Sequence, residues 1–403
     1  MDVLLIIMVH FVIRVSPGDL LTVLKETVIV LLVAKIKSLI IFLVFLFCGC
    51  TERKDSFSGF FCKPENNYID LTVDSLELEC LCPVIPGFSY VGYSGISENN
   101  LYFADALFAN LYQFDKDGNY LNSVIRYGNG PHEIPVNRLQ AYCVSSEGHH
   151  YFLDSSTNIY EFDQGFNLVN SILYYWNKKI IKGDISERTE PYSTAWGDNV
   201  NLTVHNGLFY TNIYGESDEF NITIPEYYKT ARIIEPRDAK TGEPFPLLGR
   251  ITPTVEYMKP FQKDFFRITD SGDFYVAYEA DDLIYVYNSG YKLKYSFGQP
   301  GKNMNRNYKT LNVENFYNDL IVEQEIRGRY TSLSLVGDLV FRTYLTGSPD
   351  FQNRLQIYNK TTMIGDVQVP SSFKVLGYIE PYFYSEFICD EDKEAIEIYR
   401  FKL

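Results

Sequence analysis

One short signature returns along this chain and limits what it can fold into. It reads as an apolar or aromatic strand, a few polar turn residues, a second strand ending in aromatic-x-aromatic-Asp or Asn, a Gly turn and a third strand. The first copy is Leu101-Tyr102-Phe103-Ala104-Asp105, then Asn110-Leu111-Tyr112-Gln113-Phe114-Asp115, then Lys116-Asp117-Gly118-Asn119-Tyr120-Leu121. The second is Tyr151 to Asp154, Asn158 to Asp163 and Gly165 to Leu168, with Phe162 placed 48 residues after Phe114. A third runs through Asp273 to Tyr278, Leu283 to Asn288 and Gly290 to Tyr295. Two looser copies pair Asp338 to Arg342 with Leu355 to Asn359, and Tyr382 to Tyr384 with Ala395 to Tyr399. One more fits between the second and third, Gly207 to Tyr210 with Phe220 to Ile224.

Repetition of short strands at this spacing is the mark of a sheet repeated around an axis, where each blade buries its faces on its neighbours. Tyr 33, Phe 29 and Trp 2 bring the aromatic share to 16%, which suits pleated, half-buried β surface. The expected fold is all-β, a six-bladed β-propeller over residues 67–403. Asp117-Gly118 and Ser289-Gly290 are hairpin signals within blades. The last unit lacks an outer strand before the chain stops at Leu403, and Tyr68 to Val73 is expected to supply it and close the ring. From Cys50 onward each unit averages roughly 59 residues, above the roughly 40 to 50 of compact repeats. The surplus is assigned to loops at Trp176 to Thr194, Glu235 to Lys263 and Pro300 to Arg329, where binding specificity tends to sit.

Residues 1–49 have a different character. Lys35-Ile36-Lys37, the apolar run Leu39 to Phe47, and Cys48-Gly49-Cys50 follow the order of an export signal: basic, apolar, then small. The run is shorter than the roughly 20 apolar residues of a membrane span. Gly49-Cys50 resembles a bacterial lipobox, which implies lipidation of Cys50 as the new N-terminus, although Phe47 stands where Leu is preferred. Val3 to Ile13 and Val28 to Ala34 are apolar too, and an early-assigned start codon would account for them. The expected organisation is a leader at 1–49, a tether at 50–66 and the propeller.

Arg126-Tyr127-Gly128-Asn129-Gly130-Pro131-His132-Glu133 resembles the Gly-x-Gly-Pro-Gly-Glu segment of six-bladed β-propeller lipoproteins with NHL-like repeats from Gram-negative bacteria. Phe297-Gly298-Gln299-Pro300-Gly301 is similar to a decayed second copy, and His132 stands where the family has Gly. The likeness spans about Tyr68 to Leu403 and implies fold and an outer-membrane, cell-envelope address, without assigning an activity.

The formal charge of −15 has the wrong sign for wrapping nucleic-acid phosphates. Gly-x-Ser-x-Gly, His-Glu-x-x-His, a phosphate-binding Gly-rich loop and EF-hand spacing are all missing from the sequence. No catalytic residue is therefore assigned. His149-His150 is read as an exposed hairpin turn. His132-Glu133 lies in a segment crossing between blades, and is a candidate ligand-binding pair at the funnel mouth as well as a turn stabiliser. Trp176 and Trp196 lie in or beside a long loop and can stack on sugar rings. Cys80-Leu81-Cys82 is too tightly spaced for zinc, and the cysteines are read as buried free thiols. Acidic clusters such as Asp281-Asp282 and Asp390-Glu391-Asp392 can hold calcium in principle but read as solvated turns, so no metal site is assigned. The expected role is binding of a carbohydrate or peptide outside the cytoplasm. Two alternatives stay open: a hydrolase or lyase with a cation in the central channel, and a docking subunit for a membrane protein.

Overall fold

In the three clear copies the aromatic-x-aromatic-Asx signature is a hairpin held by its own last residue. The Asp115 carboxylate accepts the backbone N–H groups of Asp117 and Asn119, each at 2.9 Å, and Asp163 accepts that of Asn167 at 2.8 Å. Asn288 does the same for Gly290 and Lys292, at 3.0 and 2.9 Å. An Asx side chain that mimics a backbone acceptor fixes the turn, so the strands on either side must pair. Where the first of these turns uses Gly118 at positive φ, the other two place Phe166 and Tyr291 there. Those strained aromatics are compensated by packing, Phe166 on His150 and Tyr291 stacked on Tyr287 at 4.4 Å.

The computed structural model describes residues 60–61, 67–85, 87–136, 138–155, 158–173, 200–213, 225–254 and 260–403. All lie in the unit Gly59–Leu403. Two strands precede the blades, β1 (Ile69–Val73) and β2 (Glu79–Leu81). The first blade has β3 (Gly92–Ser97), β4 (Asn100–Asp105), β5 (Leu111–Asp115), β6 (Tyr120–Tyr127) and the short β7 (Glu133–Ile134). The second has β8 (Leu139–Val144), β9 (His150–Asp154), β10 (Asn158–Phe162) and β11 (Leu168–Leu173). The third has β12 (Leu202–His205), β13 (Leu208–Asn212) and β14 (Ile234–Asp238), with helix α1 (Pro225–Thr230) before β14. The fourth has β15 (Asp264–Ile268), β16 (Phe274–Tyr278), β17 (Ile284–Tyr287) and β18 (Leu293–Phe297). Helix α2 (Phe316–Ile326) leads into the fifth, β19 (Arg327–Val336), β20 (Leu339–Gly347), β21 (Asn353–Asn359) and β22 (Thr362–Val369). The sixth has β23 (Val375–Ile379), β24 (Tyr382–Ser385), β25 (Ile388–Asp390) and β26 (Ala395–Phe401).

Successive strands pair antiparallel within each blade, except that β7 runs parallel to β6 and that β24 and β25 both pair with β26. The inner strands β3, β8, β12, β15, β19 and β23 touch in that cyclic order, and β23 returns to β3. The protein is thus a six-bladed β-propeller, as its repeats predict. Six apolar clusters fill the six blade-to-blade faces, and aromatic rings dominate several of them. Between the third and fourth blades, for example, Tyr278, Tyr285, Tyr287 and Phe274 are buried together. Each such ring contributes roughly 1.5 to 3 kcal/mol on burial.

An N-terminal strand does complete the last blade, but a different one from that expected. Glu79–Leu81 pairs with β26, while Ile69–Val73 lies parallel to β22 as an added outer strand of the fifth blade. The register of β2 is pinned by Arg400, whose Nε and Nη2 reach Glu79 at 2.8 and 2.9 Å while Nη1 reaches Asp117 at 2.7 Å. Between the two strands, Leu76 and Leu78 pack into the face joining the fifth and sixth blades. One segment therefore straps both blades.

Earlier in the chain, Phe61 sets its ring edge-on to Tyr285 at 5.0 Å, and Tyr287 donates to the Phe60 carbonyl at 2.6 Å. The loop expected at Glu235 to Lys263 starts instead with strand β14, which pairs with β13. The loop expected at Pro300 to Arg329 contains α2, where Glu323 and Arg327 form an i,i+4 ion pair at 2.9 Å. Phe220 to Ile224 and Trp176 to Thr194 fall outside the described residues. No helix among the described residues is long and apolar enough to cross a membrane.

Candidate functional site

Six strands converging on one axis leave little room for large side chains, and the inner strands accordingly carry Ser94, Gly95, Thr203, Thr331, Ser332 and Ser334. Gly95 is obligatory, since a Cβ there would sit 2.5 Å from the ring of Tyr142 on the next blade. On the axis lies a cavity of about 430 Å³ lined from all six inner strands. That volume suits one small ligand.

Its walls are polar and charged. Lys263, Asp264 and Arg267 come from the fourth blade, and Lys374 and Glu386 from the sixth. Arg267 donates to the Asn201 side-chain oxygen at 3.1 Å and to the Phe266 carbonyl at 2.8 Å. Asn201 is itself fixed, donating from its backbone to Asn212 at 2.8 Å and from its amide to Phe266 at 3.0 Å. The third blade thus orients a cation of the fourth. Burial lowers the pKa of Arg267, yet a guanidinium keeps its charge at any physiological pH. Lys374 and Glu386 stand 3.7 Å apart.

Asp264 is the odd member. It is 2% exposed, and its Oδ2 has no hydrogen-bond partner among the described residues. Burial pushes its carboxyl up to about 7. At neutral pH the lining carries three cations, one paired carboxylate and one half-ionised carboxyl, an electropositive interior in a chain of net charge −15.

This arrangement can hold a polar ligand by charge and hydrogen bonding. No histidine is in the lining, and burial pushes the Cys143 thiol up to about 12. Calcium takes six to eight oxygen ligands. The two lining carboxylates, one beside Lys374 and both among cations, do not fit it, and no group of three or more His, Cys, Asp or Glu among the described residues is placed to hold a metal.

The residues nominated from sequence lie elsewhere. His132 and Glu133 are at the outer edge of the first blade, outside the cavity lining. His132 Nδ1 is 2.6 Å from the Phe166 carbonyl, and the Glu133 carboxylate accepts the Gly130 N–H at 2.7 Å. Gly128, at φ 154°, lies so close that a Cβ would meet that carboxylate at 2.1 Å. The Gly-rich segment therefore folds around Glu133 as a crossover clasp, while the second copy supplies the Gln299 carbonyl to Arg342 at 2.9 Å.

Trp176, Trp196 and Cys50 are outside the described residues. His149 is half-buried and paired with Glu161 at 2.8 Å. His150 is not in an exposed turn: it opens β9, is buried, and shares a 2.8 Å hydrogen bond with Tyr142. Cys80 and Cys82 are exposed rather than buried, because the strand that carries one and precedes the other is an outer edge. Asn201, Asp264, Arg267, Lys374 and Glu386 escaped sequence reasoning altogether. The only local signal was a charge inside a short apolar run, as in Lys263-Asp264-Phe265-Phe266-Arg267.

No protein-family model matches the chain, and no curated protein matches it in sequence. Among solved structures it is similar to a member of the DUF4221 family from Bacteroides vulgatus, at 12% identity and a TM-score of 0.60, over 82% of this chain and 98% of that one. It is also similar to a Bacteroides fragilis protein named as an exported one, at 13% identity and a TM-score of 0.47, over 83% and 98% of the two chains. The first likeness shows the fold.

Proposed function

We propose that this protein is an exported β-propeller, anchored in the outer membrane of the cell envelope through a lipidated Cys50, that binds a carbohydrate or peptide ligand in its axial channel. The observation that carries the reading is the polar cavity built from all six blades, with oriented cations and a buried carboxyl whose Oδ2 is unpartnered. Export is supported by the order of charge and hydrophobicity in residues 35–50. Trp176 and Trp196 are proposed as aromatic contacts to the same ligand, since Trp196 lies four residues before the cavity-lining Val200.

The test is thermal unfolding of the full chain in detergent, with pooled sugars, pooled peptides and a chelator. A ligand present at a hundred times its dissociation constant adds roughly 2.7 kcal/mol. A shift from one sugar or peptide pool is the expected result. A shift from chelator alone overturns it in favour of a cation site, and no shift, with a membrane protein co-purifying, overturns it in favour of a docking role.

A further inference from the structure

The strand that closes the ring carries two thiols. Cys80 lies in β2, opposite Tyr399 of β26, and Cys82 follows one residue after the strand ends. Both are exposed, and their sulfurs are 3.5 Å apart. Residues i and i+2 of an extended chain share a face, with Cα atoms about 6.6 Å apart at a strand's usual rise. That is just inside the roughly 4.4 to 6.8 Å that a disulfide spans. Cys82 lies just past Leu81, the last residue of the strand paired with β26.

We propose that Cys80 and Cys82 form a reversible dithiol–disulfide pair that exchanges two electrons with a disulfide of another molecule. In the oxidising direction the Cys82 thiolate attacks one sulfur of the external disulfide. That S–S bond breaks, the first external thiolate leaves and takes up a proton, and Cys82 carries the mixed disulfide. The Cys80 thiolate then attacks the Cys82 sulfur, closes the internal S–S bond and releases the second external thiol, which takes up the second proton. Two protein thiols are oxidised and one external disulfide becomes two thiols. The order follows from the surroundings of Cys80: partial burial and the hydrogen bond with Cys82 hold its proton in place until the mixed disulfide has formed.

A bridge that spans a single intervening residue near the limit of its reach is strained, and strained, exposed disulfides are oxidising and labile. The pair is therefore a switch rather than a staple. Its position couples redox state to ring closure, because Glu79, next to Cys80, makes the ion pair that sets the register of β2. The proposal is independent of the channel and its ligand.

The test is equilibration of the purified full chain in glutathione buffers from reducing to oxidising, acid quenching, alkylation and peptide mapping by mass spectrometry. The peptide containing Cys80 and Cys82 is expected to pass from doubly alkylated to unalkylated and lighter by two hydrogens, with a single midpoint, and to return on reduction. Cys80→Ser and Cys82→Ser are each expected to abolish that species and to accumulate a glutathione adduct on the remaining thiol. Both thiols remaining alkylatable in every buffer would overturn the proposal, and so would a bridge from either to Cys62 or a stable glutathione adduct in the wild type. These readouts follow the sulfurs directly and hold even if a Ser variant is less stable.

Discussion

Arg342 and Asp264 are both buried charges on the fourth and fifth blades, and their surroundings are opposite. Arg342 is 0% exposed and its guanidinium is closed on every side. Nε and Nη2 reach the Gln356 side-chain oxygen at 3.0 and 2.8 Å, Nη2 also reaches the Gln299 carbonyl at 2.9 Å, and the ring of Tyr330 lies 3.8 Å from Cζ. Asp264, 2% exposed, leaves Oδ2 unmatched beside the channel. A buried ion is tolerated when its hydrogen bonds are complete and costs stability when they are not. The saturated charge holds blades together; the unmatched one costs stability whenever it is ionised.

Replacing Arg342 with Met is expected to give the largest loss, up to about 5 kcal/mol at every pH, because the guanidinium's charged hydrogen bonds to Gln356 and Gln299 and its stacking on Tyr330 are lost together. Chemical denaturation measures it, and a loss below 1 kcal/mol would break the contrast. For Asp264 the effect depends on pH. Its carboxyl is near 7 in the folded protein against an ordinary 3.8, so the folded state holds the proton longer. Its contribution is fully present below the unfolded value and is lost as pH rises through 7, on the order of 4 kcal/mol by full ionisation. Asp264→Asn is expected to flatten that decline, which spans about pH 4 to 7 and levels off above, in an unfolding series from pH 4 to 9.

His150 sharpens the comparison from the acid side. Burial between the first two blades lowers it from 6.5 to about 4, so the unfolded chain takes up a proton first as pH falls. Stability is expected to drop by about 3 kcal/mol between pH 6.5 and 4 and to level off below. In His150→Phe that decline should vanish, leaving only a pH-independent cost from the unpaired Tyr142 hydroxyl. The smallest effect belongs to the rim: Glu133→Ala removes one hydrogen bond to Gly130 and should cost about 1 kcal/mol in thermal unfolding, with no change in channel binding.

How much of this was legible in sequence follows from how far apart the partners lie. The hairpins ending at Asp115, Asp163 and Asn288 were readable because each turn is complete within a few residues. The closing strand was not. Ile69-Asp70-Leu71-Thr72-Val73 alternates like a strand and is one, but the three residues Glu79-Cys80-Leu81 owe their place to Arg400, which is near only once the ring has closed. The channel was illegible for the same reason at larger scale. Asn201, Asp264 with Arg267, and Lys374 with Glu386 come from three different blades, and nothing local marks the three groups as neighbours. Sequence pointed instead to His132 and Glu133, whose spacing in a Gly-rich segment serves the crossover between blades.

The central claim is that ligand is held on the axis and not at the rim. Calorimetric titration of the ligand pool that stabilises the wild type, repeated on Asn201→Ala and Glu133→Ala, tests it most directly. Losing Asn201 frees Arg267 from its orientation, so binding is expected to weaken about tenfold or more, the equivalent of roughly 1.4 kcal/mol, while Glu133→Ala binds as the wild type does. Unchanged affinity in Asn201→Ala with loss in Glu133→Ala would contradict the account.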